Sequence, residues 1–110
     1  MTVRTICLAT LVLIAGAHTA SAMTGMDLYN RCGNGFKAGF VHRDECHSFV
    51  VGVAAGLANT GQICFRGQLN GQQATMIVQA YMRNHPENLG APAGTIVTQA
   101  LMQAYPCGQL

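Results

Sequence analysis

The chain has 110 residues, of which only 9% are charged, and Lys and Arg exceed Asp and Glu by a formal +2. Nucleic acid and anionic membrane surfaces call for clustered Lys and Arg, and no such cluster is present, which argues against both as partners. A protein or small-ligand partner is left open.

Residues 1–22 have the pattern of a cleaved secretory leader: Arg4 gives a positive start, 8–17 an apolar run, and Ala20-Ser21-Ala22 a small-residue cleavage site. The apolar run of about ten residues falls well short of the roughly 20 that span a bilayer, so cleavage is favoured over a retained membrane anchor. Cys7 precedes the run instead of following it, so no lipid-attachment cysteine is in place. The mature domain is expected over 23–110. Its charges are Arg31, Lys37, Arg43, Arg66 and Arg83 against Asp27, Asp44, Glu45 and Glu87, nearly balanced.

Four helical patterns follow in the mature part, separated by Gly, Pro and Asn, with no strand-like alternation of any length. The first starts at Thr24, which pairs with Asp27 as a capping-box-like signal, and ends near Cys32 before Gly33-Asn34-Gly35. Residues 33–42 read as a glycine-rich loop carrying Phe36 and Phe40. The second helix is expected from about Asp44 to Asn59, with Asp44 and Glu45 at its positive end and Gly61 as a left-handed stop. Its centre, Phe49-Val50-Val51-Gly52-Val53-Ala54-Ala55-Gly56-Leu57, is apolar on every side, so it is expected at the middle of the fold, with Gly52 and Gly56 admitting a close helix neighbour.

The third helix starts at Asn70, with Gln73 as its capping partner, and stops before Pro86; Ala74, Ile77, Val78 and Tyr81 form its inner stripe. His85 suits the negative end of that helix. The fourth takes Pro92 as a first-turn residue and presents Ile96, Val97, Ala100, Leu101 and Ala104 on one face until Pro106. Short connections make successive helices antiparallel neighbours, so the expected fold is all-α, a small four-helix up-down bundle.

A domain of this size buries only about 60 to 65% of its unfolded surface and needs reinforcement. Loss of Cys7 with the leader leaves Cys32, Cys46, Cys64 and Cys107, an even set that reads as a disulfide framework. A second helix about 24 Å long keeps Cys46 from meeting Cys64, because bridged Cα atoms lie within about 7 Å. Joining Cys32 to Cys64 and Cys46 to Cys107 crosses the bundle twice. The expected bonds are Cys32–Cys46 and Cys64–Cys107, worth roughly 3 and 4 kcal/mol in chain-entropy terms.

No catalytic constellation emerges, and no catalytic residue, metal or other cofactor is expected. His42 and Cys46 are spaced to share a helix face as metal ligands would, but a disulfide consumes Cys46, and two histidines leave a zinc site short. Cys46 and His47 as nucleophile and base meet the same objection, and adjacent helical residues point about 100° apart. Asp44 and Glu45 read as helix-start charges, not an acid/base couple. Met76, Met82 and Met102 stand at helical spacing and are expected in the core. Glycine-rich phosphate loops and aromatic-basic platforms are missing from the pattern.

Taken together, an ordered set of residues resembles a known family. It runs from Met23-Thr24-Gly25-Met26-Asp27-Leu28 to Cys32, then Cys46 before Phe49-Val50-Val51-Gly52-Val53-Ala54, Ile63-Cys64, Gly71-Gln72 and Tyr81. His85-Pro86-Glu87, Val97, Ala100-Leu101 and Ala104-Tyr105-Pro106-Cys107 complete it. The set is similar to the Tai-type immunity proteins of type VI secretion amidases. That resemblance implies a periplasmic, helical, commonly homodimeric protein, not an enzyme, which binds a secreted cell-wall amidase and blocks its active-site cleft. Where such proteins often carry an acidic residue after the Gly-Val-Ala run, this chain has Ala55, Gly56 and Asn59, so its effector-facing chemistry departs from theirs there.

The surfaces expected to meet a partner are the 33–42 loop and the turn over 64–70, with Phe36, Phe40, Phe65 and Arg66 as aromatic and Arg anchors. The alternative for the phenylalanines is that they cover the small core. The alternative for the whole domain is a general periplasmic stress or chaperone-like module without a cognate amidase, against which stands the scarcity of groups that titrate in acid.

Overall fold

Each of the four periodic segments is helical: α1 (Gly25–Cys32), α2 (Gly39–Asn59), α3 (Gly71–Asn84) and α4 (Ala93–Ala104), with single 3-10 turns at Pro86–Asn88 and Cys107–Gln109. The protein is seen here as a computed structural model that describes residues 22–32 and 39–109, with side chains over 22–32 and 43–108. Residues 1–21 of the expected leader, Phe36, and the side chains of Phe40 and His42 lie outside the described residues. Every pair of the four helices is in contact, which closes the bundle. Leu28, Val50, Ala54, Ala74, Val78, Met82, Ile96, Val97 and Leu101 make its sealed centre.

The helix ends carry the expected chemistry. The Thr24 N–H donates to Asp27 Oδ2 at 3.0 Å and the Asp27 N–H to Thr24 Oγ1 at 3.1 Å, a reciprocal capping box. The Thr24 backbone N–H foremost, and the Thr24 side chain with it, hold the Asp27 carboxyl below its ordinary pKa. Asn70 caps α3 by accepting from the Gln73 N–H at 2.9 Å. At the end of α2, Gly61 takes φ +74°. Its N–H bonds to the Ala58 carbonyl and that of Gln62 to the Leu57 carbonyl, the paired closure that requires a left-handed residue.

Several expectations give way. α2 begins at Gly39, not near Asp44, because the glycine punctuation ends there and Phe40-Val41-His42-Arg43 contains no helix breaker. Asp44 and Glu45 therefore sit beyond the first turn, and Glu45 pairs with Arg31 at 3.7 Å in an exposed ion pair of little energetic weight. The middle of α2 is not enclosed on all sides: Val50, Ala54 and Leu57 are buried, whereas Gly52, Ala55 and Gly56 are exposed. A Cβ on Gly52 or Gly56 would meet nothing within 4 Å, so neither admits a helix neighbour within this bundle.

On α3 the fully buried line is Ala74, Val78 and Met82, with Ile77 and Tyr81 only half-buried. Of the three spaced methionines only Met82 is core; Met76 is 59% and Met102 43% exposed. On α4, Pro92 is the residue before the helix and Ala104 is exposed, because the bundle ends one turn short of it.

An eight-residue helix such as α1 is too short to persist alone, and its first N–H groups have no partners within the helix. The α3–α4 connection supplies them. The Gly25 N–H donates to the Ala91 carbonyl at 2.8 Å and the Met26 N–H to Leu89 at 2.9 Å, while the Ala93 N–H returns a bond to Met23 at 2.9 Å. Thr24 and Pro92 face each other in an isolated antiparallel bridge. This approach needs glycine at 25, since a Cβ there would overlap Ile96 Cδ1 and lie 3.0 Å from the Leu89 carbonyl oxygen. Gly25→Ala is expected to cost about 1 to 3 kcal/mol in urea unfolding. Gly90→Ala, whose Cβ would enter open space, is the control that should stay near wild type.

Candidate protein-binding surface

Two disulfides tie the bundle, Cys32 to Cys46 and Cys64 to Cys107, with Cα separations of 5.0 and 4.8 Å. The pairing holds although α2 is longer than expected, because Cys46 to Asn59 along the helix is still about 20 Å. The first bond is buried, with Cys32 3% and Cys46 1% exposed. It fastens α1 to α2, and Gln79 of α3 adds a 2.7 Å bond from Nε2 to the Cys32 carbonyl.

The second bond shapes the surface that carries Phe65 and Arg66. Ile63 is buried and anchors the chain as it leaves α2, and Asn70 anchors it as it enters α3. Between them the loop is held from outside by the Cys64–Cys107 bond and by the Cys64 N–H, which donates to the Tyr105 carbonyl at 2.9 Å. Gly67, at φ +73°, turns it back. The Phe65 ring meets Tyr105 edge-on, centroids 5.7 Å apart and planes at 69°. Burial raises the Tyr105 phenol above its ordinary pKa. Phe65, Arg66, Leu69, Asn70 and Tyr105 border a depression of about 170 Å³.

Phe65 covers the core, as its packing alternative expects, and also lines the depression. Its ring is half-buried against the core and Tyr105, and it forms part of the floor of the depression. Arg66 is exposed at its rim. Phe36 and the Phe40 side chain fall outside the described residues, so only two of the four expected anchors are brought together. Tyr105 was not singled out from the sequence. Its signal was there: it stands two residues before Cys107, as Phe65 stands beside Cys64, so the expected bond already placed the two rings near one another.

A wider cleft of about 360 Å³ runs between α2 and α3, bordered by Arg43, Asp44, His47, Gln72, Thr75 and Gln79. His47 Nδ1 lies 3.4 Å from Thr75 Oγ1, and that hydroxyl donates to the Gly71 carbonyl at 2.8 Å. The Cys46 sulfur is spent in its disulfide, so beside His47 it offers neither a thiolate nucleophile nor a thiolate metal ligand. Among the described residues no group of three or more His, Cys, Asp or Glu side chains is placed to hold a metal.

The roles of Phe65 and Arg66 separate by truncation. Phe65→Ala is expected to lower stability by about 2 kcal/mol through the lost ring pair and packing. Arg66→Ala should stay within about 0.5 kcal/mol of wild type, as measured by chemical unfolding.

Residues 24–107 match the family of Rap1a immunity proteins, and the chain belongs to that family. It is thus an immunity protein of the Rap/Tai type, the type its ordered motifs resemble. No curated protein matches the chain. Its two disulfides suit an oxidising compartment, and among the described residues no helix is long and apolar enough to cross a membrane.

Proposed function

We propose that this Rap1a-family protein is a periplasmic immunity protein, exported by the leader at 1–22, that binds a type VI secretion peptidoglycan amidase and covers its active-site cleft. Family membership over 24–107 carries this reading. The 64–70 loop adds a physical means. A segment fixed at both ends and braced by a disulfide loses little conformational freedom on docking, so more of its contact energy is available as affinity. An exposed Arg beside an aromatic floor is the side-chain combination that most often dominates a protein interface. Inhibition of this kind works by shape and requires no reactive group in the inhibitor.

The decisive assay is release of soluble fragments from purified peptidoglycan by a purified type VI secretion peptidoglycan amidase. A slight molar excess of the protein is expected to abolish release, and Arg66→Glu to weaken inhibition about tenfold or more, equivalent to at least about 1.4 kcal/mol. Full amidase activity in excess wild-type protein rejects the reading.

The reading includes a homodimer. The 49–57 centre of α2 is apolar around its whole circumference, yet the bundle covers only one side of it, leaving Gly52, Ala55 and Gly56 exposed. A self-complementary helix face of small residues suits packing about a two-fold axis. Light scattering should give twice the chain mass for wild type and the monomer mass for Gly52→Glu. A wild-type monomer at tens of micromolar would remove the dimer from the proposal.

A further inference from the structure

The two disulfides occupy opposite environments. Cys32 and Cys46 belong to the core, only 3% and 1% exposed at the base of the α2–α3 cleft, whereas Cys64 and Cys107 are both partly exposed and lie outside the core. What they restrain differs as well. The core bond is backed by buried side chains from α1 and α2 and by the Gln79 bond to the Cys32 carbonyl. The outer bond holds a loop for which, among the described residues, Cys64 N–H to the Tyr105 carbonyl is the backbone hydrogen bond reaching out from 64–69.

We propose that Cys64–Cys107 is a separately reducible bond that switches the partner surface: closed, it presents Phe65 and Arg66 in one geometry, and opened, it frees them while the helical core stands. This rests on the assignment of the 64–70 loop as the binding surface. The chemistry is thiol–disulfide exchange with a dithiol reductant. A reductant thiolate attacks one sulfur of the bond to form a mixed disulfide, and the other cysteine departs as a thiolate and takes up a proton. The second reductant thiol then closes the reagent's own disulfide and releases the remaining cysteine. Two electrons pass from the dithiol to the bond. The attacking thiolate must reach a sulfur in line, which the partly exposed pair permits and the buried pair resists. In the forward direction, the surface is completed only when a disulfide oxidant withdraws those two electrons, which confines tight binding to an oxidising compartment.

The test uses the oxidised protein and graded dithiothreitol, with exposed thiols trapped by iodoacetamide and located by peptide mass spectrometry. Cys64 and Cys107 are expected to label about tenfold or more faster than Cys32 and Cys46. The half-reduced protein should keep its far-ultraviolet helical signal while amide exchange over 65–69 accelerates. Labelling of all four cysteines together, or loss of helix in step with Cys64 and Cys107, overturns the proposal. The Cys64→Ala/Cys107→Ala double variant should reproduce the half-reduced state; its failure to fold would show that the core does not stand without this bond.

The binding arm compares oxidised and half-reduced protein against a purified type VI secretion peptidoglycan amidase. About a tenfold fall in affinity, reversed by oxidised glutathione, supports the switch, and equal affinities reject it. If the oxidised protein fails to bind that amidase, the proposed function is what fails, and labelling and exchange still judge the reducible bond.

Discussion

The bundle depends on holding a helix that could not hold itself. α1 has eight residues, below the length at which a helix persists in water, yet its Leu28 is completely buried and closes the core. Both of its ends are fastened by partners distant in sequence. At the start, the backbone at 89–92 fills the unsatisfied N–H groups of Gly25 and Met26, and this is possible because residue 25 has no side chain. At the finish, Cys32 is bonded to Cys46 and its carbonyl is taken by Gln79. Every other helix touches α1, so the same fastening sets the positions of α2, α3 and α4 about it.

The far end of the molecule solves a related problem with different means. The 64–70 loop leaves the core after Ile63 and needs restraint that burial cannot supply, since a loop exposed enough to meet a partner has little apolar surface to hide. The Cys64–Cys107 bond, the Cys64 to Tyr105 backbone bond and the edge-on ring pair provide it. The core and the candidate surface therefore draw on separate disulfides, one inside the bundle and one beside the 64–70 loop. That division lets the 64–70 loop diverge without disturbing the bundle, an arrangement that suits the function proposed for it.

Where reading and structure part, the cause is usually that periodicity reports composition around an element and not which of its faces is covered. The α2 centre reads as apolar all round, and it is; yet the bundle has only enough neighbours to cover Val50, Ala54 and Leu57. Met76 and Met102 have helical spacing like Met82, but only Met82 points inward. The start of α2 was obscured by the glycines that precede it, whose conformational freedom reads as a loop signal right up to Gly39.

The candidate surface was legible in its residues and not in its construction. Phe65 and Arg66 follow from their types and their place in a turn, whereas Tyr105 lies 40 positions away from Phe65 along the chain and joins it through the disulfide and the Cys64 N–H bond to its carbonyl. Local signals determined by the sequence alone include the Thr24–Asp27 box, the Asn70 cap, the Gly61 stop, the all-helical class and, through helix length, the pairing of the cysteines. These depend on neighbours within one helical turn or on a distance fixed by residue count. Tertiary structure alone decided the docking of Gly25 on Leu89 and Ala91, the uncovered face of α2, and the bracing of Phe65 by Tyr105. Each of these depends on which segments meet in space, a contact between remote residues that no local period records.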